Sequence, residues 1–448
     1  MEDTLIYNYS RSSSLAKKDG LEELFLAKYS EIHKNTDVPC FFWGNVGQPF
    51  ILARCLIALS NIVKSSFNLS PFQMALLKDP IVTAGNEKLR FEGFSHCAGV
   101  YARVDVLPDG LDGEFLENGT TNVDFNQPML AALGSIRPNE KIMLSVGEKE
   151  VGLYQEEKKI VERKVPLPIK WLKGLGTVQV FLSESEKQYT FNKIQTQQLF
   201  RGIPKGIVKS DYYLIVRGNK PMFSPVKSAD AVCIGGLHRL RLLEPLLPYI
   251  DCMQVFSQST MQSTTWQLHM GNIRFIFSLS RECWRGFSGE GALLDSLISD
   301  VSDEWIDALD KYAYANQSFN RTMLALEENI DLQKAENLTG RLAAMGLLGY
   351  DLDENEFFYR RLPFKLSRIL ELNPRMKNAE KLINEGKVEI LNNSKERTEA
   401  RVAGTGVHHT IIIEDGKERC TCEWFSKYQG ERGPCKHMLA VKKVISSE

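Results

Sequence analysis

Cys420-Thr421-Cys422, then twelve residues, then Cys435-Lys436-His437: three thiols and one imidazole fall in two tight pairs near the end of the chain. Residues i and i+2 of a strand point to one face, so Cys420 and Cys422 aim two thiolates at one point. Residues 411–414 and 417–422 around Asp415-Gly416 read as the hairpin that carries them. Gly433-Pro434 then sets up a helix start, with 438–444 as the helix body. Cys435 just before the first turn and His437 within it face the same ion. Three sulfurs and one nitrogen suit a closed tetrahedral site for one structural Zn2+, with Zn–S at about 2.3 Å. With every position filled by protein, the metal is expected to hold structure and not to catalyse.

The pattern Cys-x-Cys, gap, Cys-x-His resembles the SWIM zinc finger, found in bacterial proteins, Mutator-type transposases and SNF-type helicases. Strand-like stretches at 387–391, 397–403 and 407–414 precede it, and Gly433-Pro434-Cys435-Lys436-His437 is typical of the motif. The resemblance covers about residues 385–446. Four other stretches are similar to bacterial SWIM zinc-finger family proteins of about this length: FEGFSHCAGVYARVDVLPDGLDG (91–113), NGTTNVDFNQPM (118–129), VERKVPLPIKWLKG (161–174) and WRGFSGEGALLD (284–295). Genes of that family often lie beside MoxR-type ATPases and von Willebrand factor A-domain proteins. The resemblance therefore implies a protein partner, such as a MoxR-type ATPase system, and it carries no reaction with it.

Outside the finger, 448 residues are too many for one core and imply two to four domains. Apolar content of 43% and charged content of 25% are ordinary for globular chains. A net charge of -1 gives no global argument for nucleic acid, a membrane surface or a polyanionic substrate. Residues 1–18 are polar and lack the apolar core of a signal peptide. The most apolar run, 50–63, is interrupted by Arg54 and is too short to span a bilayer. The expectation is a cytoplasmic protein with no membrane contact. Cys40, Cys55, Cys97, Cys233, Cys252 and Cys283 are scattered, as buried free thiols are in a reducing compartment. The three clustered thiols point to a metal and not to a disulfide.

The pattern along the chain is multidomain α+β. Residues 1–80 read as mostly helical, with helical spacing over 21–33, a helix at about 50–64 and a short one after Asn68. Strand chemistry then takes over at 81–83, 89–92 and 99–104, and an antiparallel meander at 142–146, 150–154 and 158–165. Residues 178–182 predict a strand, 188–200 a helix, and 237–247 a leucine-rich helix. Alternation over 264–270 and 273–279 around Gly271-Asn272 predicts a hairpin with a primed turn. Helices at 323–328, 332–335 and 338–345 followed by a hairpin, 347–352 and 357–362, resemble a winged helix. The chain thus divides into an N-terminal α+β region with antiparallel strands (1–235), a region holding the winged-helix-like unit at 320–362 (236–375), and a ββα-type SWIM zinc finger domain (385–446).

Several other stretches carry chemistry. Between 427 and 443 the finger has Lys427, Arg432, Lys436, Lys442 and Lys443 against Glu431, a net of +4, with Trp424, Phe425 and Tyr428 able to stack on bases. Helix 338–345 would be the DNA-reading element of a winged helix. Residues 321–361 nevertheless have five cations against eight acids, with Asp351, Asp353, Glu354 and Glu356 in the wing, which favours protein packing. Lys158, Lys159, Arg163, Lys164, Lys170 and Lys173 surround Trp171, diluted by Glu156, Glu157 and Glu162. The turn 286–291 (GFSGEG) opens a helix at 292–299 but lacks the Lys-Ser/Thr of a phosphate loop. His96 and Cys97 would point to opposite strand faces, wrong for a nucleophile and its base. Asp105, Asp109, Asp112, Glu114 and Asp124, with Asn118, Thr120, Thr121, Asn122 and Asn126, would either hold a hard cation or make Asx turns.

The sequence therefore predicts a binding protein: an adaptor for a protein partner, with nucleic-acid binding through the finger as the alternative. An unrecognised enzyme in the N-terminal half is the third reading.

Overall fold

The computed structural model describes residues 14–18, 21–25, 40–65, 80–155, 158–165, 169–282, 286–288, 303–344, 346–360, 374–394, 396–404, 406–414, 417–430 and 433–445. Its largest element is an eight-stranded antiparallel sheet. In space the strands run Glu186–Asn192, Cys252–Ser257, Ser263–Met270, Ile273–Ser280, Val100–Val106, Lys88–Phe94, Ile81–Gly85 and Gly119–Asn122. The expected hairpin forms, with Met270 opposite Ile273 and Gly271 at φ +58, the positive value a primed turn needs.

Strand alternation gives this sheet two unlike faces. Leu89, Phe91, Val104, Val106, Phe275, Phe277, Trp266 and Leu268 line the apolar one. The helix Pro49–Lys64 covers it, with the Cys55 thiol 4.0 Å from Met270 Sδ. The opposite face is polar along a whole row. Thr120, Thr83, Arg90, Asp105, Arg274, His269, Cys252 and Asn192 stand side by side, one from each strand. Such a face is usually left to water. Here Lys88, Arg90, Glu92, Arg103 and Asp105 are all at most 3% exposed.

What covers them is a hairpin some 250 positions further along the chain, Leu348–Asp351 and Glu356–Tyr359. Arg103 grips Asp105 through Nε (2.8 Å) and Nη2 (2.9 Å) and donates Nη1 to the Tyr350 carbonyl (2.8 Å). Asp351 accepts from Lys88 at 3.2 Å, with Arg274 at 3.5 Å and Arg90 at 4.0 Å. Glu354 also pairs with Lys88, and Asp353 lies 2.9 Å from Arg274 Nε. Arg360 and Tyr101 both donate to Glu92, each at 2.6 Å. The Phe358 ring lies beneath three guanidinium groups, with Cζ of Arg90, Arg103 and Arg360 at 4.0, 5.2 and 5.3 Å from its centroid. Five cations and five acids thus neutralise one another where the hairpin meets the sheet, with Asp353 and Glu354 in the exposed turn. Burial alone would raise the Asp351 carboxyl. Arg103, Lys88, Arg90 and Arg274 together override it and hold that group well below the usual carboxylate range.

Around this sheet sit smaller elements. The expected meander is part of a five-stranded sheet: Lys158–Arg163, Glu150–Gln155, Met143–Gly147, Cys40–Val46 and Leu111–Phe115. A three-stranded sheet runs Lys220–Ser224, Tyr212–Arg217, Val232–Ile234. The helix Asp303–Asn316, the short strand Ser318–Phe319, and the helices Arg321–Glu327 and Leu332–Ala344 precede the covering hairpin. Ser318–Phe319 pairs with Glu356–Tyr359, on the side away from Leu348–Asp351.

The structure departs from the sequence reading at several elements. Leu21–Phe25 is a strand paired with Ser14–Lys18, so pairing overrides its helical spacing. Residues 178–182 lie inside the helix Ile169–Ser183. From Gly174 to Val180 that helix is buried all round, so it shows no amphipathic stripe to read. Residues 188–200 split into the strand Glu186–Asn192 and the helix Lys193–Arg201, joined by a capping box of Asn192 and Gln195. Residues 237–249 form a 3-10 helix, because Pro245 and Pro248 cannot donate α-helical bonds. The helices expected at 332–335 and 338–345 are one. Residue 235 is no break in strand pairing: Val100–Val106 pairs with Ile273–Ser280, and Glu186–Asn192 with Cys252–Ser257. A second buried cluster, from Met376 to Val441, begins earlier than the expected 385, with the helix Pro374–Asn384. The helices expected after Asn68 and at 292–299 lie outside the described residues, as does the rest of 26–33.

Removing Asp351 takes a carboxylate from the buried Lys88 and Arg90 and from Arg274 beside them. Asp351→Ala should lower unfolding stability by about 3 to 5 kcal/mol in urea titration. Lys381→Ala, which breaks an exposed i,i+4 pair with Glu385, should stay within about 0.5 kcal/mol. The depressed Asp351 group adds stability above its unfolded value of about 3.9 and loses it as pH falls toward its folded value. The wild-type protein should therefore weaken steeply below about pH 4, and Asp351→Ala less steeply.

Candidate metal centre

A four-stranded antiparallel sheet, Val388–Asn393, Arg397–Ala403, His408–Glu414 and Lys417–Cys420, carries the finger. Cys420 is the last residue of its strand. Cys422 is not in that strand but caps the helix Glu423–Tyr428, its sulfur accepting from Phe425 N at 3.4 Å. Cys435 immediately precedes the helix Lys436–Ile445 and accepts from Met438 N at 3.5 Å. Two helix starts therefore aim backbone N–H groups at two of the sulfurs, which favours their thiolate form. His437, in the first turn of the second helix, turns Nδ1 toward the thiols, 3.9 Å from Cys420 Sγ and 4.0 Å from Cys435 Sγ.

All four ligand atoms lie within 4.8 Å of one another, and all four residues are buried. Tetrahedral zinc with Zn–S of about 2.3 Å and Zn–N of about 2.0 Å requires N–S spacings of about 3.6 Å. The donor set and its spacing fit one structural Zn2+. Without a cation the thiols must share protons. Cys420 is pushed up because Cys422 accepts its proton, and Cys422 is pulled down by donation from Cys420 and Cys435. A divalent ion replaces those protons and lets all three sulfurs ionise. His409 lies against His437, ring centroids 4.2 Å apart, and walls the site on that side.

Two of the finger's lysines and its aromatics are engaged within the protein more than the sequence suggests. Lys442 pairs with Glu418 (2.5 Å) and Lys443 with Glu380 (2.8 Å). Arg375 lies over the Trp424 ring at 4.8 Å and donates to the Pro434 carbonyl at 2.8 Å. Trp424 also packs on Tyr428, centroids 4.6 Å apart, and Phe425 packs on the buried cluster. Arg432 and Glu431 lie outside the described residues.

The other sequence candidates do not converge. Asp105 is a buried partner of Arg103, and Asp112 and Glu114 lie on the strand Leu111–Phe115. Asn126 precedes the helix Gln127–Ser135 and donates to Glu162. Thr121 and Asn122 donate to the carbonyls of Glu148 and Val165. The cysteine–histidine cluster is the one metal-type group among the described residues. His96 and Cys97 occupy a turn, where Cys97 meets Ser95 at 3.5 Å. Residues 286–288 make a single 3-10 turn, with Gly286 at φ +57 against the Ala98 carbonyl. Of the Lys158–Lys173 stretch, 158–163 is strand and 169 onward is helix. The helix expected to read DNA buries Leu338, Thr339, Leu342, Ala343 and Ala344. No helix among the described residues is long and apolar enough to cross a membrane.

Residues 409–445 match the SWIM zinc finger family, so the chain contains a SWIM zinc finger built on this Cys3His cluster. Among solved structures, the chain is similar to proliferating cellular nuclear antigen from Entamoeba histolytica, at 10% identity and a TM-score of 0.36, covering 54% of this chain and 98% of that one. It is also similar to the PCNA2–PCNA3 complex from Sulfolobus tokodaii, at 9% identity and a TM-score of 0.38, covering 54% of this chain and 99% of that one. No curated protein matches.

Elemental analysis should find one zinc per chain, and Cys435→Ser should lose nearly all of it. Because the ligands bind as thiolates and neutral imidazole, zinc should be released as pH falls and retained as it rises. A metal-sensitive dye titrated from pH 8 to 4 reads this directly.

Proposed function

We propose that this chain is an adaptor whose SWIM finger shapes a surface for a protein partner. The observation that carries this reading is the engagement of the finger's side chains with one another and with neighbouring elements. Lys442 and Lys443 are neutralised by Glu418 and Glu380, and Trp424 is held between Arg375 and Tyr428. A nucleic-acid reader keeps its cations free for phosphate and its aromatic faces free for bases. The closed ligand set and burial at the zinc suit a scaffold. The winged-helix-like unit expected at 320–362 fits the same picture, since the helix Leu332–Ala344 and the hairpin that would be its wing are used in packing. MoxR-type ATPases and von Willebrand factor A-domain proteins, implied by the family resemblance, are the first partners to try.

The test is a pull-down of those purified proteins with the full chain, beside a gel shift with mixed-sequence DNA and RNA at low ionic strength. Stoichiometric retention of a protein partner, lost in Cys435→Ser, is expected, with no shift. A salt-sensitive shift of nucleic acid with no protein retained would replace this reading by the nucleic-acid one.

A further inference from the structure

Residues 193–227 contain seven cations, Lys193, Arg201, Lys205, Lys209, Arg217, Lys220 and Lys227, and one acid, Asp211, a net of +6 in a chain whose total is -1. All seven cations are exposed. Asp211 is already taken by Arg281 at 2.8 Å. Lys193 donates to the Pro248 carbonyl, and none of the other six has an ion-pair partner among the described residues. Surface charge of one sign repels itself, and proteins ordinarily intersperse acids to relieve it. This stretch does not.

The same residues expose apolar groups. Ile194, Ile207, Met222 and Val226 are 66%, 75%, 37% and 70% exposed. They are four of the nine large hydrophobic residues so exposed among those described, in a small fraction of the chain. A single exposed aliphatic side chain means little; several set among unpaired cations mark a binding surface.

The fold brings Ile194, Arg217, Lys220 and Met222 together. Tyr212–Arg217 and Lys220–Ser224 form a hairpin around Gly218-Asn219, with Arg217 directly opposite Lys220 and Ile215 opposite Met222. Two cations facing each other across strands destabilise the pair, so folding alone gives no reason to place them there. Gln195 donates to the Asn219 carbonyl and holds the helix start, with Ile194, beside that turn. At the hairpin's other end Ser224 Oγ bonds both the N–H and the carbonyl of Val226. The strand Lys220–Ser224 is an outer strand of its sheet.

We infer that this hairpin and its flanking turns dock an acidic protein segment that carries apolar side chains. Charge complementarity selects acidic residues, and the aliphatic groups need something apolar to lie against. Nucleic acid meets the first requirement and fails the second. Its stacking partners are aromatic faces, and Tyr212, Tyr213 and Phe223 here are half-buried. An anionic membrane calls for one continuous amphipathic face with its apolar side buried in the lipid, and these aliphatic groups are dispersed over a helix start, two loops and a strand. The surface stands on its own residues and does not rest on what the finger binds.

The test uses the full-length protein and a fluorescein-labelled peptide alternating Glu and Leu. Parallel titrations use single-stranded mixed-sequence DNA and phosphatidylserine–phosphatidylcholine vesicles. Saturable peptide binding is expected, weakened about tenfold or more by Arg217→Glu with Lys220→Glu. Ile194→Ser with Met222→Ser should weaken it about fivefold or more while leaving its salt dependence unchanged. All four sites are exposed, and unchanged thermal melting confirms that the variants fold. Cys435→Ser should bind the peptide as wild type does, so a failed finger reading and a failed hairpin reading give different results. The proposal is overturned if DNA or vesicles bind and the peptide does not. It is overturned equally if peptide binding ignores both double variants, or if it vanishes with Cys435→Ser.

Discussion

Asp351 sits where Lys88, Arg90, Arg103 and Arg274 converge, and the larger body of the protein depends on that meeting. Four cations side by side on one sheet face cannot be buried by an apolar lid, because removing them from water unpaired costs far more than apolar contact returns. The hairpin Leu348–Tyr359 solves this by carrying acids and a phenyl ring to the same place. Its carboxylates satisfy the charges, and Phe358 gives three guanidinium groups a flat partner where hydrogen bonds are absent. Register follows from the same constraint. Moving one residue along either strand would turn Asp351 away from the cations and leave both sides unpaired.

That lattice explains which parts of the fold were legible. Strands over 81–104, the helix near 50–64, and the hairpin at Gly271 announced themselves through local pattern. The role of Lys88, Arg90, Glu92, Arg103 and Asp105 did not. Alternating polar residues read as a solvated face, and the residues that bury them lie some 250 positions later. The acids of the hairpin were legible as charge. Their use as counter-ions for the sheet requires three-dimensional proximity. The helix Ile169–Ser183 was hidden for a related reason: burial on all sides erases the periodicity that marks a helix.

The metal site was the most legible feature, since ligand chemistry and spacing are written locally. The structure alters how the ligands are presented. Cys422 acts from a helix cap, and Cys435 from the residue before a second helix, so both sulfurs meet backbone N–H groups. A strand pair alone would not supply these. The surface around the site was less legible, because Glu380 and Glu418, which neutralise two of its lysines, precede the counted window. The cationic hairpin near Gly218 was missed although its signal is simple: one acid between residues 193 and 227.

The account holds that the chain has two separately stabilised units, a sheet locked to its hairpin by buried ion pairs and a finger locked by zinc. Native-state hydrogen exchange with and without a chelator tests this most directly. Amides of Leu348–Asp351 and Glu356–Tyr359 should be protected together with those of Lys88–Phe94 and Val100–Val106. Chelation should deprotect only the strands and helices from Pro374 to Ile445. Fast, independent exchange of the hairpin, or loosening of the large sheet on zinc removal, would contradict it.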